Sequence, residues 1–367
     1  MSASFGTKLQ LKLFGEAHGE AVGMVLAGLP AGEEVNLQQL QQFLARRAPG
    51  LAPWSTARKE ADLPQFLAGL NNNITDGAPL MVSITNTDAK SSDYEKIKHI
   101  PRPGHADYAA WLRYGADVDL RGGGRFSGRL TAPLCVAGGI CLQILARKGI
   151  KIGAHIQEIA GITDTSFDSL KLSAETLYLA GQKNFPVLDT QAGERMIDAI
   201  MAAKEDGDSV GGIVEGAAIG LPGGLGGPLF AGLESRLAAA LFAIPAVKGI
   251  EFGAGFAAAR LKGSENNDAF YLQDGQVACR SNNAGGILGG ISTGLPLIVR
   301  IAFKPTPSIA KTQSSVNLQT MAEAELNING RHDPCIVPRA VPVVEAVMAL
   351  VLLDVLLQEE GGLLCRT

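Results

Sequence analysis

The sequence predicts an α+β fold built on antiparallel sheets, and two observations carry that expectation. Helical and strand-like segments do not alternate in the β-α-β-α rhythm that a parallel sheet requires. Leu297, Val299, Ile301 and Phe303 occupy every second position of one run, as the buried face of a strand does. The 45 glycines imply many tight turns and places where backbone can approach a ligand closely.

From the N-terminus, Lys8-Leu9-Gln10-Leu11-Lys12-Leu13 alternates as a half-buried strand and runs into Gly15-Glu16-Ala17-His18-Gly19, which puts His18 on a turn at a strand end. Asn36 precedes a run with Leu37, Leu40, Phe43 and Leu44 on one helical face, with Gln39 at the third position of a capping-box-like start. That helix ends near Arg46-Arg47, before Pro49-Gly50. Further helices are predicted at about 132–148, 192–205, 230–243 and 341–358, and strands near 80–86, 210–220 and 296–304. Gly23-Met24-Val25 leading to Gly28-Leu29-Pro30-Ala31-Gly32 resembles Gly212-Ile213-Val214 leading to Gly220-Leu221-Pro222-Gly223-Gly224. This is either a trace of internal duplication or a convenient turn used twice. No low-complexity linker divides the chain, so residues 1–367 are expected to form a single domain.

Composition sets limits on function. With 367 residues, 46% apolar, the chain can bury a sizeable core. Its formal charge of −4 gives no basic field to draw it onto nucleic acid or an anionic membrane. Cys135, Cys141, Cys279, Cys335 and Cys365 form no C-x-x-C pair and no zinc-type spacing, which suits a reduced, cytoplasmic compartment. Residues Met1 to Lys12 lack the basic-then-apolar layout of a secretory signal. The most apolar stretch, Ala346 to Leu353, is about half of the roughly 20 residues a bilayer crossing needs, and Glu345 and Asp354 bracket it, so a buried helix is expected.

Three of the five histidines sit in unusual glycine- or proline-rich settings: Gly-Glu-Ala-His18-Gly, Arg-Pro-Gly-His105-Ala-Asp and Arg-His332-Asp-Pro. Arg102, Arg113, Arg121, Arg125 and Arg129 cluster around Asp119-Leu120-Arg121-Gly122-Gly123-Gly124-Arg125-Phe126-Ser127-Gly128-Arg129. In an acidic protein this is a local anion site, with backbone N–H groups of the glycines and flanking guanidiniums as donors, or else a solvated arginine face on a glycine turn. A second glycine cluster spans Ser281 to Gly294 and precedes Lys304-Pro305-Thr306-Pro307-Ser308. Neither cluster fits G-x-G-x-x-G or ends in Gly-Lys-Ser/Thr, so dinucleotide and NTPase readings are weak.

The order of these motifs, with Arg-Arg-Ala-Pro-Gly and Ala-Gly-Gly-Ile-Leu-Gly-Gly-Ile-Ser among them, resembles the chorismate synthase family from about Phe5 to Leu357. That resemblance implies a sandwich of two antiparallel four-stranded sheets around a helical layer, usually a homotetramer. It implies a lyase that eliminates phosphate from 5-enolpyruvylshikimate 3-phosphate with reduced FMN as cofactor and gives chorismate, with no metal. The substrate carries one phosphate and two carboxylates, which clustered arginines suit. Position by position, it implies that His18 protonates the departing phosphate, that His105 lies over the flavin, and that Asp333 helps take a proton from flavin N5. It implies FMN contacts at Arg125, Phe126, Ser127, Ala246, Gly289, Lys304, Pro305, Thr306, Pro307, Ser308 and Arg331, and substrate contacts at Arg46, Arg47 and Arg129. The reduced flavin is expected from an external flavin reductase or from NADPH.

The chain departs from the commonest pattern of that family at Ala17, Phe126, Gly128, Leu130 and Asn283. Leu130 removes an expected carboxylate partner beside Arg129. Two other readings compete: a non-catalytic flavin- or anion-binding relative, and a metal-dependent phosphohydrolase built from His105, Asp107, His332 and Asp333.

Overall fold

The computed structural model describes residues 3–50, 52–56, 60–87, 98–116, 118–328 and 332–359. Two five-stranded antiparallel sheets frame it. The first contains β1 (Ala3–Phe5), β2 (Gln10–Gly15), β3 (Ala21–Ala27), β4 (Gln65–Ala68) and β5 (Leu80–Thr85), in the order β1-β2-β3-β5-β4. The second contains β6 (Lys151–Ile159), β7 (Ile162–Thr163), β8 (Gly212–Ile219), β9 (Val247–Phe252) and β10 (Leu297–Phe303), in the order β9-β10-β8-β6-β7. Four strands per sheet were expected. The additional strand is a short edge piece in each case, three residues in β1 and two in β7.

Among the described residues the α-helices of eight or more residues are α1 (Leu37–Arg47), α2 (Asp107–Tyr114), α3 (Thr131–Arg147), α4 (Ala174–Gln182), α5 (Thr190–Glu205), α6 (Leu233–Leu241) and α7 (Val337–Glu359). Helix α3 rests on the first sheet, α7 on the second, and the two helices pack on each other. They come close together at Gly138, where a Cβ would stand only 2.3 Å from Ala346 Cβ. A glycine inside a helix costs about 1 kcal/mol relative to alanine. Here it permits a separation that no larger residue allows. Gly139 likewise leaves room for Leu40 and Phe43 of α1.

Local chemistry explains where the elements begin. Asn36 caps α1, its side chain accepting the Gln39 N–H at 2.9 Å. The strand expected from Lys8 begins at Gln10 instead, because the buried Asp354 carboxylate accepts the N–H groups of Lys8 at 2.7 Å and Leu9 at 2.8 Å. Those donors are therefore lost to the sheet. Helix α7 begins four residues before the expected 341, running through Pro342, and at 23 residues is long and apolar enough to cross a membrane. Within the protein it is core: 89% of its most apolar window is buried.

The two Gly-Leu-Pro segments turn out to be equivalent in place. Strands β3 and β8 are the central strands of their sheets. Each ends in a left-handed glycine, Gly28 at φ +86° and Gly220 at φ +76°. A Cβ there would strike a backbone carbonyl, Lys8 O at 1.9 Å or Gly149 O at 2.4 Å. The same turn is thus required twice.

Candidate functional site

The site is organised by the triple-glycine loop. Gly122, Gly123 and Gly124 have φ of +59°, +90° and +52°, a run that residues with a Cβ do not sustain. The glycines are also needed for room. A Cβ at Gly122 would stand 2.4 Å from His18 Cδ2, and one at Gly123 would stand 3.3 Å from His105 Nε2. The loop therefore brings together two histidines that lie 87 positions apart in the chain (105 − 18). Ala17 secures the turn that carries His18 by donating its N–H to Gly124 O at 3.2 Å.

Beside this loop lies a cavity of about 280 Å³. His105, Gly122, Phe126, Ser127 and Arg129 line it from one side, Arg47, Thr56 and Glu60 from another, and Ala246, Thr306, Pro307, Ser308, Asp333 and Arg339 complete it. Most of the residues that the sequence singled out thus converge on one place.

Arg47 and Arg129 are both buried, at 2% and 5% exposure, and share one carboxylate. Arg47 donates to Asp62 through Nε at 2.9 Å and Nη2 at 2.6 Å, while Arg129 pairs with the other oxygen of Asp62 and donates to Asn86 Oδ1 at 2.8 Å. Glu60 stands 3.7 Å from Arg129. The carboxylate that Leu130 does not supply thus comes from Asp62 and Glu60. Asp62 adopts φ +48°, an unfavourable backbone for a non-glycine residue.

A second cluster surrounds His105. Arg102 grips Asp107 with Nε at 2.7 Å and Nη2 at 2.9 Å, and donates to Ser308 Oγ at 3.2 Å. His105 Nδ1 lies 2.5 Å from Asp107 Oδ1. Burial works to raise the Asp107 pKa, but the hydrogen bonds from Arg102 and His105 outweigh it and hold the carboxyl well below the usual range.

Asp333 accepts the Thr56 N–H at 2.8 Å and pairs with Arg339 Nη1 at 2.5 Å. Arg331, the neighbour expected to serve Asp333, lies outside the described residues. Arg339, on the first turn of α7, is a site residue that sequence reasoning missed. It also donates through Nε to the Arg47 carbonyl at 2.9 Å, so one side chain ties the Asp333 segment to the end of α1. Burial pushes the Arg339 pKa down against the pull of Asp333, with Arg47 adding to the lowering.

Other expected contacts fall apart from the cavity. Arg46 is one residue from Arg47 on a helix, where neighbours point about 100° apart. It lines a separate cleft of about 1120 Å³ and is held there by Glu345, at 2.6 and 2.8 Å. Gly289 occupies the exposed turn between two short strands (Ile287–Leu288 and Ile291–Ser292) and does not line the cavity. Arg125 is exposed, 3.3 Å from Glu16. Lys304 and Pro305 lie beside the lining, where Lys304 N–H donates to the Ala246 carbonyl at 3.0 Å. Burial, with the nearby Lys248, pushes the Lys304 pKa down.

A metal centre finds little support in these pairings. His332 Nε2 contacts the Ile328 carbonyl at 3.3 Å, and Asp107 and Asp333 are each committed to an arginine. Among the described residues no three His, Cys, Asp or Glu side chains are placed to hold a metal ion.

Known proteins match nearly the whole of this chain. The chorismate synthase family model matches residues 9–357. The chorismate synthase of Lancefieldella parvula is 48% identical over 367 residues, covering 97% of this chain and 96% of its own. That of Pyrococcus abyssi is 49% identical over 352 residues, covering 96% and 97%. A crystal structure of chorismate synthase superposes with a TM-score of 0.76 at 29% identity, covering 98% of this chain and 94% of that one. The chain belongs to the chorismate synthase family.

Proposed function

We propose that this protein converts 5-enolpyruvylshikimate 3-phosphate to chorismate and phosphate by an anti-1,4-elimination with reduced FMN, the last common step toward the aromatic amino acids. The observation that carries this reading is the convergence on one cavity of Arg47, Arg102, Arg129 and Arg339 with His105 and Asp333. A substrate with one phosphate and two carboxylates needs such a set of donors. Because Arg47 and Arg129 share Asp62, an incoming anion competes with that carboxylate for guanidiniums already held in place.

The cavity also fits a flavin. Among the described residues Thr306 Oγ1 is buried there without a hydrogen-bond partner, and a polar ligand atom would satisfy it. Ile244, Pro245, Ala246, Phe303 and Phe126 offer apolar surface for a ring system, and Ser127 and Ser308 add hydroxyls. When bound, reduced FMN supplies electron density to the allylic system as phosphate departs. The chain's own residues then handle charge and protons. His18, held against Gly122, gives a proton to the departing phosphate oxygen. Asp333, fixed by Thr56 and Arg339, accepts a proton at its carboxylate. His105 balances charge beside the ring.

The same reading includes the family's sandwich layering, a cytoplasmic location, an external reductase or NADPH as the source of reduced flavin, and a homotetramer. The hairpin of Phe270–Gln273 and Gln276–Cys279 supports assembly, since Phe270, Leu272 and Val277 are 65%, 74% and 70% exposed on one of its faces. The activity is tested anaerobically with chemically reduced FMN. Chorismate and phosphate should appear in equal amounts without stoichiometric loss of reduced flavin. Steady turnover with oxidised FMN and no reductant would refute the proposal.

A further inference from the structure

His105 meets two neighbours that make opposite demands on one atom. Asp107 Oδ1 lies 2.5 Å from Nδ1 and can only accept, whereas Arg102 Nη2 lies 3.1 Å from Nδ1 and can only donate. Arg102 has other acceptors, since Nε reaches Asp107 Oδ2 at 2.7 Å, Nη2 reaches Asp107 Oδ1 at 2.9 Å and Nη1 reaches Ser308 Oγ at 3.2 Å. Its backbone N–H also donates to Asp107 Oδ2 at 3.0 Å. The carboxylate is therefore clamped by Arg102 and offers its short contact to the imidazole.

We propose that Asp107 is a positioning residue that fixes His105 in the Nδ1–H tautomer and leaves Nε2 as the ring atom available for chemistry. Nε2 lies on the edge of the ring turned toward Gly123, where a Cβ would come within 3.3 Å of it. The loop's glycine and the clamp on Nδ1 thus both restrict the orientation of the ring. Ser308 connects the clamp to the loop at residues 304–308, so the histidine and that loop share a support. Carboxylate-held imidazoles recur where a histidine must present one chosen nitrogen. The tautomer follows from these contacts alone, while its consequence for rate rests on the reaction proposed above.

The test uses the full-length protein carrying ring-labelled histidine, with the His105 signals assigned by their loss in His105→Gln. Nitrogen shifts of the neutral ring should report Nδ1–H in the wild type. In Asp107→Asn, Arg102 retains the amide oxygen and the amide nitrogen faces Nδ1, so the ring should change to Nε2–H. Turnover should fall by roughly 10²-fold or more, with substrate KM within about 3-fold of wild type, because a group needed in the transition state is mis-set. A neutral wild-type ring carrying its proton on Nε2 would overturn the proposal whether or not the variant folds. So would unchanged turnover in a variant whose tautomer has switched. The shifts are measured without turnover, so a wild-type protein that makes no chorismate yet shows Nδ1–H would defeat the functional reading and leave the tautomer standing.

Discussion

His105 and His155 each sit beside a carboxylate, yet they answer different needs. His105 lines the cavity and, among the described residues, has only Nδ1 committed, to Asp107 at 2.5 Å. His155 is 0% exposed and has both nitrogens committed, Nδ1 to Asp164 at 3.0 Å and Nε2 to Glu215 at 3.1 Å. It belongs to a polar row across the second sheet, where Glu251, Arg300, Glu215 and His155 are successive cross-strand partners on β9, β10, β8 and β6. A histidine with no nitrogen left cannot exchange a proton with a ligand. The number of committed ring nitrogens therefore separates a histidine that can serve catalysis, as proposed for His105, from a structural one better than the presence of a carboxylate does.

Asp333 should give one of the largest effects. Asp333→Asn keeps the shape and the Thr56 contact but removes the charge opposite Arg339. Turnover should fall by about two or more orders of magnitude while FMN and substrate still bind together. Single-turnover phosphate release at the wild-type rate in a stable variant would reduce Asp333 to a turn residue.

The adjacent arginines extend the comparison. Arg47→Ala should raise substrate KM by roughly 10- to 100-fold, as loss of a charged hydrogen bond does. Arg46→Ala should leave KM within about 3-fold and instead cost about 3 kcal/mol of stability, since buried Glu345 keeps the Ala154 N–H but loses its charged partner. Steady-state kinetics and denaturant melts on the two variants separate these roles, and equal KM effects would return Arg46 to the substrate site.

These contrasts also mark what the sequence could reveal. Periodicity and capping placed α1 from Asn36 to Arg47, and the alternation in 297–303 placed β10, because both signals are local. The motif series gathered His18, His105, Arg129 and Thr306 to Ser308 around one loop and its cavity. Partnerships were not legible. Asp62 serves arginines 15 and 67 positions away, and Arg339, which no motif marked, pairs with Asp333. Strand β6 escaped notice because His155 and Glu158 interrupt its apolar pattern, and only the facing β8 and the loop at Asp164 explain a histidine buried there. Pairing across distant segments is fixed by tertiary packing, which periodicity does not encode.

A smaller effect probes the helical contact that joins the two halves. Gly138→Ala places a methyl against Ala346 and should cost about 1–3 kcal/mol through overpacking, with turnover per folded molecule unchanged. A melt equal to wild type would mean that α3 and α7 can separate freely.

The His155 cluster should show itself mainly in pH dependence. Burial opposes the charged ring, but the hydrogen bonds and charges of Asp164 and Glu215 outweigh it and raise the His155 pKa. A raised folded-state pKa gives stability that is fully present below the unfolded value of about 6.5 and is lost as pH rises through the folded value. Asp164 has the opposite sign. Burial raises its pKa, but the hydrogen bond from His155 and the backbone donors of Leu188 and Asp189 lower it overall, so its contribution is lost as pH falls through its folded value. Melting temperature should thus decline on the alkaline side in the wild type and decline less there in His155→Gln. A wild-type slope retained in the variant would assign the dependence to other groups.

The most direct measurement takes His105→Gln and His155→Gln side by side, recording melting temperature and anaerobic turnover with reduced FMN for each. His105→Gln should lose roughly 10²- to 10⁴-fold in turnover and melt near the wild type. His155→Gln should lose about 1–3 kcal/mol of stability, because buried Asp164 and Glu215 lose partners, and keep near-normal turnover where it is folded. The reverse pattern, with His105→Gln active and His155→Gln folded but inactive, would contradict the account.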